Sequence, residues 1–128
     1  MQRTFLTIAI IAAALAVVLG AFGAHSLRER LTSEQLLVFE TGVRYQFYHA
    51  FALIIMVLLG DKISVSGMNY TGWFFSAGIL LFSGSLYLLS MRNLLGIENW
   101  KFLGPVTPLG GLCFIAGWIS LLVSILKK

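Results

Sequence analysis

The chain has 128 residues, enough for one domain. Apolar residues make up 59% and charged residues 11%, against roughly 45–50% and about 25% in soluble domains, so a soluble globule is excluded in favour of an integral membrane protein. The net charge of +4 comes from nine basic residues placed at segment ends, which suits headgroup anchoring and excludes a nucleic-acid surface.

Thr4 to Gly23 is an uncharged run of 20 residues, the length that crosses about 30 Å of hydrocarbon as helix. It is longer than the core of a cleaved leader and is expected to be the first spanning helix. Ala9, Ala13, Ala16, Gly20 and Gly23 share one face of it, and small faces let helix backbones approach closely in lipid. Gly20-Ala-Phe-Gly-Ala-His25 closes the helix, and Arg28, Glu29 and Arg30 mark the exit to water.

Thr32-Ser-Glu-Gln35 fits a capping box that opens a second helix. The helical pattern continues to Leu59 with Gly60 as terminator. A helix this long predicts an amphipathic, interfacial start over 33–40 and a spanning part over 41–60. Within it lies Glu40-Thr-Gly-Val-Arg-Tyr-Gln-Phe-Tyr-His49, the densest polar stretch of the chain. Ionisable groups at membrane depth are costly, so this stretch demands a purpose. His49 precedes Gly60 by 11 residues, or about 16 Å, which puts it near mid-membrane.

The third span is expected over 68–91, with Tyr70 and Trp73 as interfacial anchors. On a regular helical wheel Gly72, Ser76, Ser83, Tyr87 and Ser90 form one narrow stripe. Arg92 to Gly104, with Leu94, Leu95, Ile97, Trp100 and Phe102, reads as a loop lying on the interface. The fourth span is expected over 105–126, closed by Lys127 and Lys128, with Pro105 and Pro108 in its first turn. Gly110, Cys113, Gly117, Ser120 and Ser124 make its small-residue face. The expected fold is an all-α membrane protein, a compact bundle of four transmembrane helices forming one domain over 1–128. Basic residues tie under the positive-inside rule, so orientation stays open.

Two constellations emerge on the second helix. Glu40 and Arg44 stand at i and i+4 in the favourable order and predict an interfacial ion pair. On nearly the opposite side, Gly42, Tyr45, Gln46 and His49 share one arc, and each polar group there needs a partner in a dry core. Ser83, Tyr87 and Thr107 on neighbouring helices are the candidate partners. Such a polar intramembrane site either fixes helix register or forms a pocket that binds a small ligand or passes protons, with His49 as the titrating group. Ligation of metal or haem by His25, at the end of the first helix, and His49 is the weakest alternative. Only two histidines exist and no Cys-His or Glu-x-x-His spacing occurs, so neither metal nor cofactor is expected. Phe82-Ser-Gly-Ser-Leu86 is not a nucleophile elbow, and the glycines match no phosphate-binding spacing, so no catalytic residues are assigned.

Four blocks together carry a resemblance: Gly20-Ala-Phe-Gly-Ala-His25, Thr41-Gly-Val-Arg-Tyr-Gln-Phe-Tyr-His49, Leu81-Phe-Ser-Gly-Ser-Leu-Tyr87 and Gly104-Pro-Val-Thr-Pro-Leu-Gly-Gly111. In order and over nearly the whole chain, they resemble the domain-of-unknown-function 423 family of small bacterial membrane proteins, similar to the eukaryotic transmembrane-protein-256 group. The resemblance implies four spanning helices and a multi-pass location in the plasma membrane. It places His25, Tyr45, Gln46, His49, Ser83 and Thr107 in the family's motif blocks and implies no reaction. The leading reading is therefore a non-enzymatic structural or small-ligand/lipid-binding membrane component, in the lipid bilayer as a homo-oligomer or an accessory subunit. The alternative is a proton- or small-solute-conducting protein built around His49.

Overall fold

A computed structural model describes residues 1–128, and every regular element in it is helical. Helix α1 runs Gln2–His25, α2 runs Ser33–Leu58, α3 runs Val65–Ser90 and α4 runs Leu103–Lys127. Three of these, α1, α3 and α4, are long and apolar enough to cross a membrane. Helix α2 has the length, but the polar residues between Glu40 and His49 dilute the apolar character of its first half.

Local chemistry sets most of the ends. Thr32 Oγ1 accepts from the Gln35 backbone N–H while Gln35 Oε1 accepts from the Thr32 N–H, both at 3.1 Å, which is the expected capping box. Ser64 caps α3 by accepting from the Gly67 N–H at 3.0 Å. The turn Arg92–Leu95 stops at Gly96, whose φ of 68° lies in the left-handed region that glycine enters without cost. Trp100 and Phe102 then stack at 5.5 Å along the connection to α4.

Successive helices pack side by side: α1 on α2, α2 on α3, and α3 on α4. Two apolar clusters result. One contains Phe5, Ala9, Leu53, Met56, Phe75 and Phe114, and the other Ala16, Leu27, Leu31, Phe39 and Val43. Gln46 falls between Val43 and Leu53, so a polar layer divides the two. Glycine makes the close approaches: a Cβ on Gly110 would overlap the backbone nitrogen of Phe82, and one on Gly78 would overlap the Phe114 ring. In lipid, where apolar burial supplies little drive for helix association, such approach is what packing needs.

Two expectations change here. Helix α3 is not a regular wheel, because Ile79–Ser83 forms a π turn in which the Gly84 N–H reaches the Ile79 carbonyl. One extra residue rotates the second half of the helix by about 100°. Thus Ser83 and Ser90 are buried, whereas Ser76, in line with them on a regular wheel, is only half-buried and bonds back to the Gly72 carbonyl. Helix α4 begins two residues before Pro105, so Pro108 lies inside the helix and not in its first turn. Proline has no N–H, so the Gly104 carbonyl loses its helical donor at that point.

Candidate functional site

Gln46 is the centre of the polar layer. Its side chain is 4% exposed, and a buried amide without partners is costly. Its Nε2 donates to the Ala12 carbonyl of α1 at 2.7 Å, and its Oε1 accepts from the Tyr87 hydroxyl of α3 at 2.6 Å. One residue thus ties three helices. One turn away, Ser83 Oγ donates to the Gly42 carbonyl at 2.7 Å, and Tyr87 packs against the bare Cα of Gly42. The π turn makes this bond, because it carries Ser83 round to face α2.

His49 forms the second node. Its Nδ1 lies 2.8 Å from the Tyr45 carbonyl, and since a carbonyl only accepts, Nδ1 carries the proton. The Trp118 indole N–H of α4 donates to Nε2 at 3.1 Å. Both ring nitrogens are engaged in the Nδ1–H tautomer. The ring also lies flat on Phe114, with centroids 3.5 Å apart and planes 9° from parallel.

The expected residues do not all converge. Gln46, Ser83 and Tyr87 join one network, and His49 sits beside it with partners of its own. Tyr45 turns outward: its ring is 38% exposed and packs on Phe82, and its hydroxyl makes no hydrogen bond. Thr107 pairs with Ser85 of α3 instead of reaching α2. The expected Glu40–Arg44 ion pair is not formed, because the Arg44 guanidinium donates to Thr41 Oγ1 at 3.2 Å. Both charges are exposed, where a competing neutral acceptor costs an ion pair little. His25 is exposed at the end of α1, while His49 is buried between α2 and α4, so the two do not share a site.

Trp118 and Phe114 were missed by polar patterning. The available signal was Trp118 itself, nine residues from the end of α4 and so about 14 Å in. Tryptophans at membrane ends serve as interfacial anchors, and one this far in needs an acceptor for its N–H.

No triad, paired acid and base, or cluster of metal-ligating side chains is assembled around these nodes. What the arrangement does chemically is to satisfy polar groups across helix boundaries.

Comparison with known proteins gives concordant matches. The family profile described as "Protein of unknown function (DUF423)" matches residues 19–111. The chain is 44% identical over 127 residues to the UPF0382 membrane protein YwdK of Bacillus subtilis, covering 98% of each. It is 38% identical to the UPF0382 membrane protein SH2409 of Staphylococcus haemolyticus and 39% identical to SAB0533 of Staphylococcus aureus, again covering 98% of each chain. No solved structure matches.

Proposed function

The chain belongs to the DUF423 family of membrane proteins, and from that membership we propose a four-pass, non-enzymatic component of the cell membrane whose interior polar groups hold its helices in register. The observation that carries this reading is the use of Gln46: both ends of its amide bond to other helices. The fourth pass is α2. Its 26 residues extend about 39 Å, and its two most polar interior side chains, Gln46 and His49, are buried and bonded. Phe51, Ile55 and Leu58 are left facing outward. Arg44 lies 14 residues before the Leu58 end of α2, about 21 Å along the axis, which leaves the headgroups on the other side within reach of its long side chain.

The conducting alternative is disfavoured by the same geometry. A relay through His49 has to break the bond from Trp118 or the bond to Tyr45 before either nitrogen can exchange a proton. Gly42, Gly72, Gly78, Gly110 and Gly117 are packed against groups of the same chain, so these close approaches serve packing within it.

Topology is tested by single cysteines at Ser26→Cys, Asp61→Cys and Asn99→Cys in a Cys113→Ser background, labelled in intact cells with an impermeant maleimide. Four passes require 26 and 99 to share a side and 61 to lie opposite. Positions 26 and 61 on one side would refute the crossing of α2. The register role is tested in proteoliposomes and by unfolding: Trp118→Phe should lower stability by about 1 kcal/mol, with proton flux equal to that of empty vesicles. A pH-dependent flux that His49→Ala abolishes in a folded protein would overturn it in favour of conduction.

A further inference from the structure

The first turn of α1 meets the third turn of α3, where Phe5 packs edge to face on Trp73 and against Gly72, and the two helices then separate. The separation leaves a lipid-facing groove of about 440 Å³, within the roughly 300–1,000 Å³ typical of small-molecule sites. Its walls are Ile11, Leu15 and Leu19 on α1 and Ile79 and Leu80 on α3, and Gln46 and Tyr87 line it as well.

Those two polar residues have hydrogen-bonding capacity left. An amide NH2 carries two hydrogens, and the only acceptor that Gln46 Nε2 meets is the Ala12 carbonyl. A phenol oxygen both donates and accepts, and Tyr87 Oη only donates. Ser76 also lines the groove, with its hydroxyl hydrogen committed to the Gly72 carbonyl. The groove therefore sets the spare Gln46 donor beside the Tyr87 acceptor among mainly apolar walls. Depth restricts what can use them. Ala12, bonded to the amide, lies about 15 Å from the Gln2 end of α1 and about 20 Å from the His25 end. Phosphates and glycerol esters stay near the ends of such a helix. A hydroxyl on an otherwise apolar molecule reaches the site and fills both positions, its oxygen accepting from Gln46 and its hydrogen donated to Tyr87.

We propose that the α1–α3 groove binds a neutral lipid bearing a single hydroxyl, an alcohol or a phenol, whose oxygen sits between Gln46 and Tyr87 while its hydrocarbon lies along Leu15, Leu19 and Leu80. The proposal rests on the register reading of Gln46 and adds an occupant to it.

The test uses the full chain in mild detergent, titrated with para-octylphenol, its methyl ether and octylbenzene, and read by native mass spectrometry. The three probes share a hydrocarbon and differ in whether they donate and accept, only accept, or do neither. Two net hydrogen bonds predict that the phenol binds about tenfold more tightly than octylbenzene, with the ether between. Leu80→Trp fills the groove from a position already 74% exposed and should abolish phenol binding with the fold intact. Equal binding of phenol and octylbenzene, or unchanged phenol binding in Leu80→Trp, overturns the proposal. Failure here leaves the register reading standing, because that reading is decided by the coupling between Gln46 and Tyr87 in the absence of any probe.

Discussion

Removing the hydroxyl of Tyr87 and the amide of Gln46, singly and together, measures how much the polar layer contributes. Tyr87→Phe leaves Gln46 Oε1 without its donor, and Gln46→Leu leaves the Tyr87 hydroxyl without its acceptor and takes the side-chain donor from the Ala12 carbonyl. In a water-soluble core each orphaned group costs about 1–3 kcal/mol. In a membrane the unfolded chain also finds partners, and measured coupling energies fall to about 0.6 kcal/mol on average, with a maximum of about 1.7. The bond here is 2.6 Å long and its acceptor residue is 4% exposed, so it belongs in the upper half of that range. The expected interaction energy is about 1–1.7 kcal/mol. Ala12 contributes less than Tyr87, since its carbonyl also faces its own helix. The assay is reversible unfolding in bicelles titrated with dodecyl sulfate, followed by circular dichroism. Effects that add to within about 0.3 kcal/mol would show that these side chains do not hold α1, α2 and α3 in register.

Two further substitutions probe the backbone. Gly110→Ala places a Cβ against the Phe82 backbone, which cannot yield as a side-chain tip does, and should cost about 2–3 kcal/mol; Gly84→Ala meets nothing within 4 Å and should be neutral or stabilising by up to about 1 kcal/mol. Equal outcomes in the same unfolding assay would contradict the close α3–α4 approach at the π turn. Thr32→Ala removes the side-chain acceptor of the capping box and should cost about 0.5–2 kcal/mol, seen as faster hydrogen exchange at Gln35 and Leu36; unchanged exchange would mean the box contributes nothing in water.

Much of the site was legible in the residues. A glutamine and a histidine on one arc of an apolar helix have few physical uses other than bonding inward, and Ser83 and Tyr87 were identifiable as partners by their place on α3. The alignment of Ser83 with Gly42 was not legible, because it depends on the π turn. Periodicity assumes a constant 3.6 residues per turn, and Ile79–Ser83, packed between α2 and α4, departs from it. Thr107 was assigned to the wrong neighbour for a related reason: its residue type signals a need for a partner, and only the path of α4 brings Ser85 to it. Arg44 similarly had two acceptors within one turn, and spacing alone does not choose between Thr41 and Glu40.

The sequence by itself determined the features that depend on neighbours along the chain. These are the apolar lengths of α1, α3 and α4, the capping box at Thr32, the left-handed stop at Gly96 and the inward polar arc of α2. Each arises from bonds or steric limits within one or two turns. Tertiary structure decided the Trp118–His49 bond, the π turn, the enclosure of Pro108 within α4 and the groove between α1 and α3. Those depend on how far apart two helices stand and how each is rotated about its axis. Both quantities are set by which glycine meets which aromatic ring tens of residues away, and no local spacing encodes that.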